Sequence, residues 1–76
     1  MYEYVICNQA DEEIFRKQCA ALEKRLPSIQ KIQFLHDVDD SKMQGYSLNG
    51  KSIEVFNDYN IGEVRIKSQI DLDLYF

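Results

Sequence analysis

The sequence has few of the residues that form cross-links or metal sites. It contains two cysteines, one histidine and no tryptophan in 76 residues. Cys7 and Cys19 lack CxxC spacing, and one histidine is too few for a conventional structural zinc site. We therefore expect two reduced thiols, no disulfide, no bound metal and no cofactor.

Long apolar runs and an excess of basic residues are also missing. No stretch approaches the roughly 20 apolar residues needed to span a bilayer. The segment after Met1 lacks the basic start and long apolar core of a signal peptide, which predicts a cytoplasmic protein without a membrane segment. The net charge of −4 argues against nucleic-acid binding, because such proteins carry a basic surface patch.

The small size of the chain favours association with another chain. A domain of 76 residues buries only about 60% of the surface that its unfolded chain exposes, so its stability is marginal. Disulfides, metals and partner subunits are the usual additional sources of stability in small domains. Because the first two are not expected, a protein partner or a homodimer is favoured.

The clearest helix signal lies between Asn8 and Pro27. Asn8 is the expected N-cap, and Pro27 is expected to end the helix, because the residue before a proline is disfavoured in helical conformation. One stripe of the helix carries apolar residues at helical spacing: Phe15, Cys19, Leu22 and Leu26. We predict a single amphipathic helix over this segment.

Two segments before the middle of the chain show the period of two that is typical of strands. Residues 1–7 are apolar on both faces, which indicates a central strand. The second segment is residues 31–36. Ile32, Phe34 and His36 share one face of it, and Leu35 lies on the other.

The dipeptide Asn49-Gly50 is the strongest hairpin signal. Both positions of a type I′ turn need a positive φ, and these residues tolerate it. A two-residue turn places Tyr46 opposite Ile53 and fixes the register outward from there. The face expected to form the core carries Leu48, Tyr46, Ile53 and Val55.

The order of these elements predicts an α+β fold. The order is β-α-β-β-β, with the last strand long or broken in two. We expect an antiparallel-rich sheet of four to five strands with one helix packed on one face. The chain shows no internal repeat, linker or low-complexity stretch, so residues 1–76 are interpreted as a single domain.

The best candidate for a chemical site is FLHDVDDS, residues 34–41. Asp37, Asp39 and Asp40 are hard oxygen ligands of the kind that bind Mg²⁺ or Ca²⁺, which would make the chain a metal-dependent enzyme or sensor. His36 is a conceivable general acid or base. The favoured alternative is a turn whose side chains bond nearby backbone N–H groups. No convincing nucleophile accompanies the histidine, because Cys7 and Cys19 fit the core and Ser41 fits the turn. No catalytic or metal-binding residue is therefore assigned.

One helix covers only one face of such a sheet, and the opposite face needs an explanation. That face is expected to carry, among polar residues, Val5, Leu35, Met43, Phe56 and Tyr75. If these residues are contiguous, they mark an interaction site. Otherwise they lie scattered, or the C-terminal segment folds over them. The sequence leaves these alternatives open.

The last 14 residues alternate between apolar and polar side chains. A single extended strand of this length would reach about 46 Å, whereas a domain of this size is only about 30 Å across. We predict a bend or break at Ser68-Gln69, followed by a second extended piece. The residues expected to be buried there, across the sheet or in a dimer, are Ile70, Leu72, Leu74 and Phe76.

These features favour a small acidic, non-enzymatic module that binds another protein. The partner would be a larger protein, with a basic one as a candidate, and the module would act as its inhibitor or adaptor. The alternatives are a homo-oligomer that uses the C-terminal strand and a metal-dependent protein. The expected contact residues are Leu35, Met43, Phe56, Ile70, Leu72, Leu74, Tyr75 and Phe76.

Overall fold

Five strands and one α-helix form the fold, in the order that the sequence predicts. The computed structural model describes residues 1–75. The elements are β1 (Tyr2–Cys7), α1 (Glu12–Arg25), β2 (Gln30–His36), β3 (Lys42–Leu48), β4 (Lys51–Asp58), β5 (Glu63–Ser68) and a short 3₁₀ segment, the C-terminal turn (Leu72–Leu74). The α+β class with one helix on one sheet is therefore confirmed.

The sheet is antiparallel at every pairing, and its strand order is β1-β5-β4-β3-β2. Strands β2 to β5 form a meander, and β1 joins the free side of β5. The expectation that residues 1–7 form a central strand is therefore wrong, because β1 is an edge strand. Four of its six residues are exposed, since it has a neighbouring strand on one side only.

The Asn49-Gly50 turn has the predicted geometry. Both residues have positive φ, 53° and 80°, as a type I′ turn requires. Tyr46 lies opposite Ile53, and the pairing continues to Lys42 as the two-residue turn predicts. The register of this hairpin is thus confirmed.

Helix α1 begins three residues later than expected. Its N-cap is Asp11 rather than Asn8, and the Asp11 carboxylate accepts a hydrogen bond of 3.0 Å from the Ile14 N–H. Leu26 forms the C-cap directly before Pro27, as expected. Within residues 1–75, no helix is long and apolar enough to cross a membrane.

The core lies between α1 and the sheet. It contains the four hairpin residues predicted for it, and its buried members are Phe15, Leu22, Leu26, Tyr46, Leu48, Ile53, Val55, Ile66 and Leu72. The buried Tyr46 hydroxyl donates a hydrogen bond of 2.7 Å to the Glu23 carboxylate. Burial raises the pKa of Tyr46, so this hydroxyl remains a donor at neutral pH.

One buried polar side chain joins the start of the helix to the sheet. Asn57 in β4 has no exposed surface. Its Oδ1 accepts a hydrogen bond of 3.0 Å from the Asp11 N–H, and its Nδ2 donates to the Glu12 carboxylate at 3.5 Å. The Lys42 ammonium of β3 reaches the same carboxylate at 2.7 Å. These contacts position the helix N-terminus over β3 and β4.

The predicted break in the C-terminal segment is confirmed. Strand β5 ends at Ser68, whose buried Oγ donates to the Ile70 carbonyl at 2.7 Å and accepts from the Ile70 N–H at 3.0 Å. The prediction of a second extended piece after this break is wrong, because the chain forms the C-terminal turn instead. The Tyr4 hydroxyl accepts a hydrogen bond of 2.9 Å from the Leu72 N–H and holds this turn against β1.

Burial along this segment follows the turn rather than the alternation. Leu72 is buried in the core, and Ile70 packs against it half-buried. Leu74 is 79% exposed, so its predicted burial is wrong. The 3₁₀ geometry has three residues per turn, which rotates Leu74 away from the side occupied by Leu72. Phe76 lies outside the described residues.

Candidate interaction surface

One face of the sheet is covered by neither α1 nor the C-terminal turn. Both elements pack on the same side, because Leu72 belongs to the core cluster that contains Phe15 and Leu22 of the helix. The alternative in which the C-terminal segment folds over the sheet face opposite the helix is therefore wrong for the described part of that segment, which ends at residue 75. We call the uncovered side the open face.

A line of five side chains crosses the open face, one from each strand. The consecutive cross-strand pairs are Val5 with Arg65, Arg65 with Phe56, Phe56 with Met43, and Met43 with Leu35. Directly paired residues of antiparallel strands project to the same face, so the five lie side by side. We call them the cross-strand row. The four apolar members are on the face that the sequence predicts.

The two ends of the row are its most exposed parts. Val5 is 54% exposed and Leu35 is 53% exposed, whereas Met43 is buried. Phe56 is half-buried, and two cations lie over its ring. The Arg65 guanidinium carbon is 4.6 Å from the ring centre, and the Lys67 Nζ is 5.9 Å from it. The row therefore presents two apolar ends and a cationic centre.

Carboxylates surround both cations of the open face. Arg65 Nη1 lies 2.9 Å from Asp58 and 3.8 Å from Glu63. Lys67 has a glutamate as its cross-strand neighbour on each side: Glu3 on β1 and Glu54 on β4. With four carboxylates and two cations in this group, the open face is net negative, in agreement with the charge of −4 for the chain.

A groove opens at the Leu35 end of the row, between the loops that follow β2 and β4. Its volume is about 510 Å³, which lies within the usual range for ligand sites. Its apolar lining comes from the row: Leu35, Met43 and Phe56. Its polar lining includes Asp37, Asp39, Ser41 and Asn60. An apolar surface and a polar rim thus meet at one end of the sheet.

The aspartates of the β2–β3 loop form local turn bonds. Asp37 and Asp39 each accept a hydrogen bond from a backbone N–H within two residues, at 2.8 and 2.9 Å. Asp40 has a φ of 69°, and its carboxylate lies 3.1 Å from His36 Nε2. In the part of the chain that the structure describes, no three His, Cys, Asp or Glu side chains are placed to share a metal ion. The hydrogen bonds that Asp37 and Asp39 accept from nearby backbone N–H groups are those that the turn interpretation predicts.

Two nucleophilic side chains, Ser41 beside these aspartates and Cys19 in α1, have structural environments. Ser41 Oγ accepts a hydrogen bond of 2.9 Å from the Tyr59 N–H, so it joins the two loops of the groove. Burial raises the pKa of the Cys19 thiol, which lowers the fraction of reactive thiolate.

Asp58 connects the β4–β5 loop to the row. Its carboxylate accepts hydrogen bonds from the Asn60 N–H at 2.9 Å and the Ile61 N–H at 3.0 Å. Its other oxygen accepts from Arg65 Nη1 at 2.9 Å. The hydrogen bond from Ile61, followed by the one from Arg65, holds the pKa of Asp58 below its ordinary value.

The Asp58→Asn variant should lose about 1 to 2 kcal/mol of stability at neutral pH, because charge-assisted hydrogen bonds are weakened. The folded-state pKa is lower than the ordinary value of 3.8, so the carboxylate stabilises fully above that pH. Its contribution is lost as the pH falls through the folded-state pKa. Urea unfolding should therefore show that the variant loses less stability, relative to the wild type, in acid than at neutral pH. A loss of stability of equal size at neutral and at acidic pH would contradict this prediction. Asp73→Asn, at an exposed position, is the control.

The structure divides the expected contact residues into two groups. Leu35, Met43 and Phe56 lie together in the cross-strand row. The remaining described ones belong to the C-terminal segment: Ile70, Leu72, Leu74 and Tyr75. Of these, Leu72 is in the core on the covered side, and Leu74 and Tyr75 are exposed at the turn. The seven described residues of this set therefore do not form one surface.

The sequence did not predict that Arg65 belongs to the row, between Val5 and Phe56. The alternation of residues 63–67 places Arg65 on the outer face, but only the β4–β5 register sets it over Phe56. No protein-family model, no curated protein and no solved structure matches this chain. The function of the open face is consequently inferred from the arrangement of its own residues.

Proposed function

We propose that this chain is a small non-enzymatic module that binds a basic protein on its open face. The observation that carries the proposal is the cross-strand row. It combines methionine, phenylalanine and arginine, which are enriched at the cores of protein interfaces. Its apolar ends, Val5 and Leu35, are each more than half exposed.

The charge of the open face supports a basic partner. Each cation on this face already has neighbouring carboxylates, so the surplus charge is negative. A net negative face attracts a basic surface at long range and raises the rate of association. Salt should weaken the complex, because exposed charges are screened within about 10 Å at 0.1 M ionic strength.

The size of the open face indicates a modest interface. Five strands about 4.8 Å apart span about 19 Å, and eight residues of β4 extend about 26 Å. The face therefore has an area of about 500 Å², or about 1,000 Å² for both partners. Interfaces of this size belong to transient or regulatory complexes. An inhibitor or adaptor that binds reversibly agrees with this estimate.

Affinity capture from the source cell with substituted chains tests the proposal. We expect wild-type protein and Leu74→Asp to retain a basic protein, and Leu35→Asp to lose at least nine-tenths of it. A charge at Leu35 would disrupt the exposed apolar end of the row, whereas Leu74 lies at the C-terminal turn. Equal unfolding midpoints in urea would show that both variants remain folded.

Two results would contradict the proposal. Capture of the same proteins by all three chains would exclude docking on the open face. Capture of no protein at low salt by the wild-type chain would count against the binding function itself. Loss of the captured protein on raising the salt concentration is the expected supporting result.

A homo-oligomer is the second candidate, through the β2 edge rather than the predicted C-terminal strand, because β5 is paired on both sides. Ile32, Phe34 and Leu35 on this edge are 61%, 52% and 53% exposed. Two copies paired along β2 would form a continuous sheet. The irregular register between Lys31 and Phe34 opposes this pairing, because bulges protect edge strands. Sedimentation as a 9.0 kDa species at every concentration would exclude this candidate.

A further inference from the structure

We infer that the groove at the Leu35 end of the cross-strand row accepts an arginine or lysine side chain of the partner. This inference rests on the proposed binding function and specifies the chemistry that the partner presents. The groove lies where the apolar row meets the acidic β2–β3 loop. Those two surfaces match the two parts of a basic side chain.

The apolar lining suits the hydrocarbon part of the ligand. Leu35, Met43 and Phe56 are consecutive neighbours across three strands and form a continuous surface. Lysine and arginine bury their methylene groups on such surfaces while their charged ends remain hydrated. The groove is open to solvent at its loop side, where Asp39 is exposed. The charged end of the ligand would therefore stay near water.

Asp37 and Asp39 supply the complementary charge. Each uses one carboxylate oxygen for a backbone N–H, so its second oxygen remains available to a ligand. None of the basic side chains in residues 1–75 forms an ion pair with either carboxylate. The local hydrogen bonds also restrict both side chains, which reduces the entropy lost on binding.

The basic groups that line the groove already have acidic partners. Arg65 pairs with Asp58 at 2.9 Å, and Lys42 pairs with Glu12 at 2.7 Å. The Nε2 atom of His36 lies 3.1 Å from the carboxylate of Asp40 in the β2–β3 loop. An incoming anion would compete with one of these pairs, whereas a cation meets two carboxylates without a basic partner. The groove therefore selects a cation.

A peptide titration followed by NMR on the full ¹⁵N-labelled chain tests the inference. The probes are acetyl-Gly-Arg-Gly-amide and the same peptide with neutral citrulline, which has nearly the same shape. The arginine peptide should shift the amide signals of Val38 and Ser41, which donate to Asp37 and Asp39, and that of Met43. We expect the citrulline peptide to bind at least fivefold more weakly.

Substitution of the two carboxylates gives the matched test. The double variant Asp37→Asn, Asp39→Asn should bind the arginine peptide roughly tenfold more weakly, the size expected for two solvent-exposed charge pairs. Asp73→Asn removes the same kind of charge outside this groove and should leave the affinity unchanged. A lysine peptide that shifts the same signals would also support the inference.

Several results would overturn it. The first is an equal response to the arginine and citrulline peptides, and the second is amide shifts that lie outside the groove. The third is wild-type affinity of the double variant for the arginine peptide. The fourth is binding of inorganic phosphate at the same amides without a response to the arginine peptide. If the peptide fails but Leu35→Asp still abolishes protein capture, only the groove inference is lost. If the peptide binds as expected but capture ignores Leu35→Asp, docking on the open face is lost instead.

Discussion

Leu72→Asp should leave most of the protein unfolded at room temperature. Leu72 is 3% exposed and packs in the core cluster. Truncation of a buried leucine to alanine costs about 2 to 5 kcal/mol, and an unpaired carboxylate adds a desolvation cost. The total is comparable to the whole free energy of unfolding, about 4 to 11 kcal/mol for a chain of 76 residues. Far-ultraviolet circular dichroism with urea titration measures the effect.

Leu74→Asp is the matched control for this prediction. The same change is made two residues further along, at a side chain that is 79% exposed. Its urea midpoint should correspond to a change of less than about 0.5 kcal/mol, as for most surface substitutions. If Leu72→Asp folds with an unchanged midpoint, the C-terminal turn does not pack in the core. If both variants unfold, Leu74 has a stabilising contact that its exposure does not reveal.

Asn57→Ala should lower the free energy of unfolding by about 2 to 3 kcal/mol. The change removes the acceptor of the Asp11 N–H and the donor to Glu12 from a fully buried position. A buried group left without its hydrogen-bond partner costs about 1 to 3 kcal/mol, and the lost side-chain packing adds to it. Urea unfolding measures the total loss. Faster hydrogen exchange at the first turn of α1 would show that the helix start is released.

Asn60→Ala is the control for Asn57. Asn60 is exposed in the β4–β5 loop, three residues after Asn57. Its replacement should change the stability by less than about 0.5 kcal/mol. Losses of equal size in the two variants would contradict a role for Asn57 in holding the helix to the sheet.

Local signals predicted most of the secondary structure correctly. The Asn49-Gly50 dipeptide predicted both the turn and the pairing of β3 with β4, because a two-residue turn leaves one register. Pro27 predicted the end of α1 through the steric restriction on its preceding residue. Each of these effects acts between residues that are close in the chain, so the sequence alone is sufficient to predict it.

The errors at β1 and after Ser68 have a common cause in contacts between distant residues. Residues 1–7 are apolar on both faces, yet β1 lies at an edge because β5 pairs with it on one side only. The alternation after Ser68 suggested another strand, whereas the Tyr4 hydroxyl and the core hold Leu72 in a turn. Tyr4 is 68 residues away from Leu72. No local pattern reports such a contact.

The same division applies to the candidate interaction surface. The sequence by itself determined the acidic balance of the chain, the strand periodicity and the side of the sheet on which Val5, Leu35, Met43 and Phe56 lie. Only the tertiary structure decided that these side chains form one row with Arg65, whose guanidinium lies over the central Phe56 ring. The strand order brings β1 beside β5, so Val5 meets Arg65 across 60 residues of chain. Strand order depends on how the whole core packs, and therefore the row exists only in the folded chain.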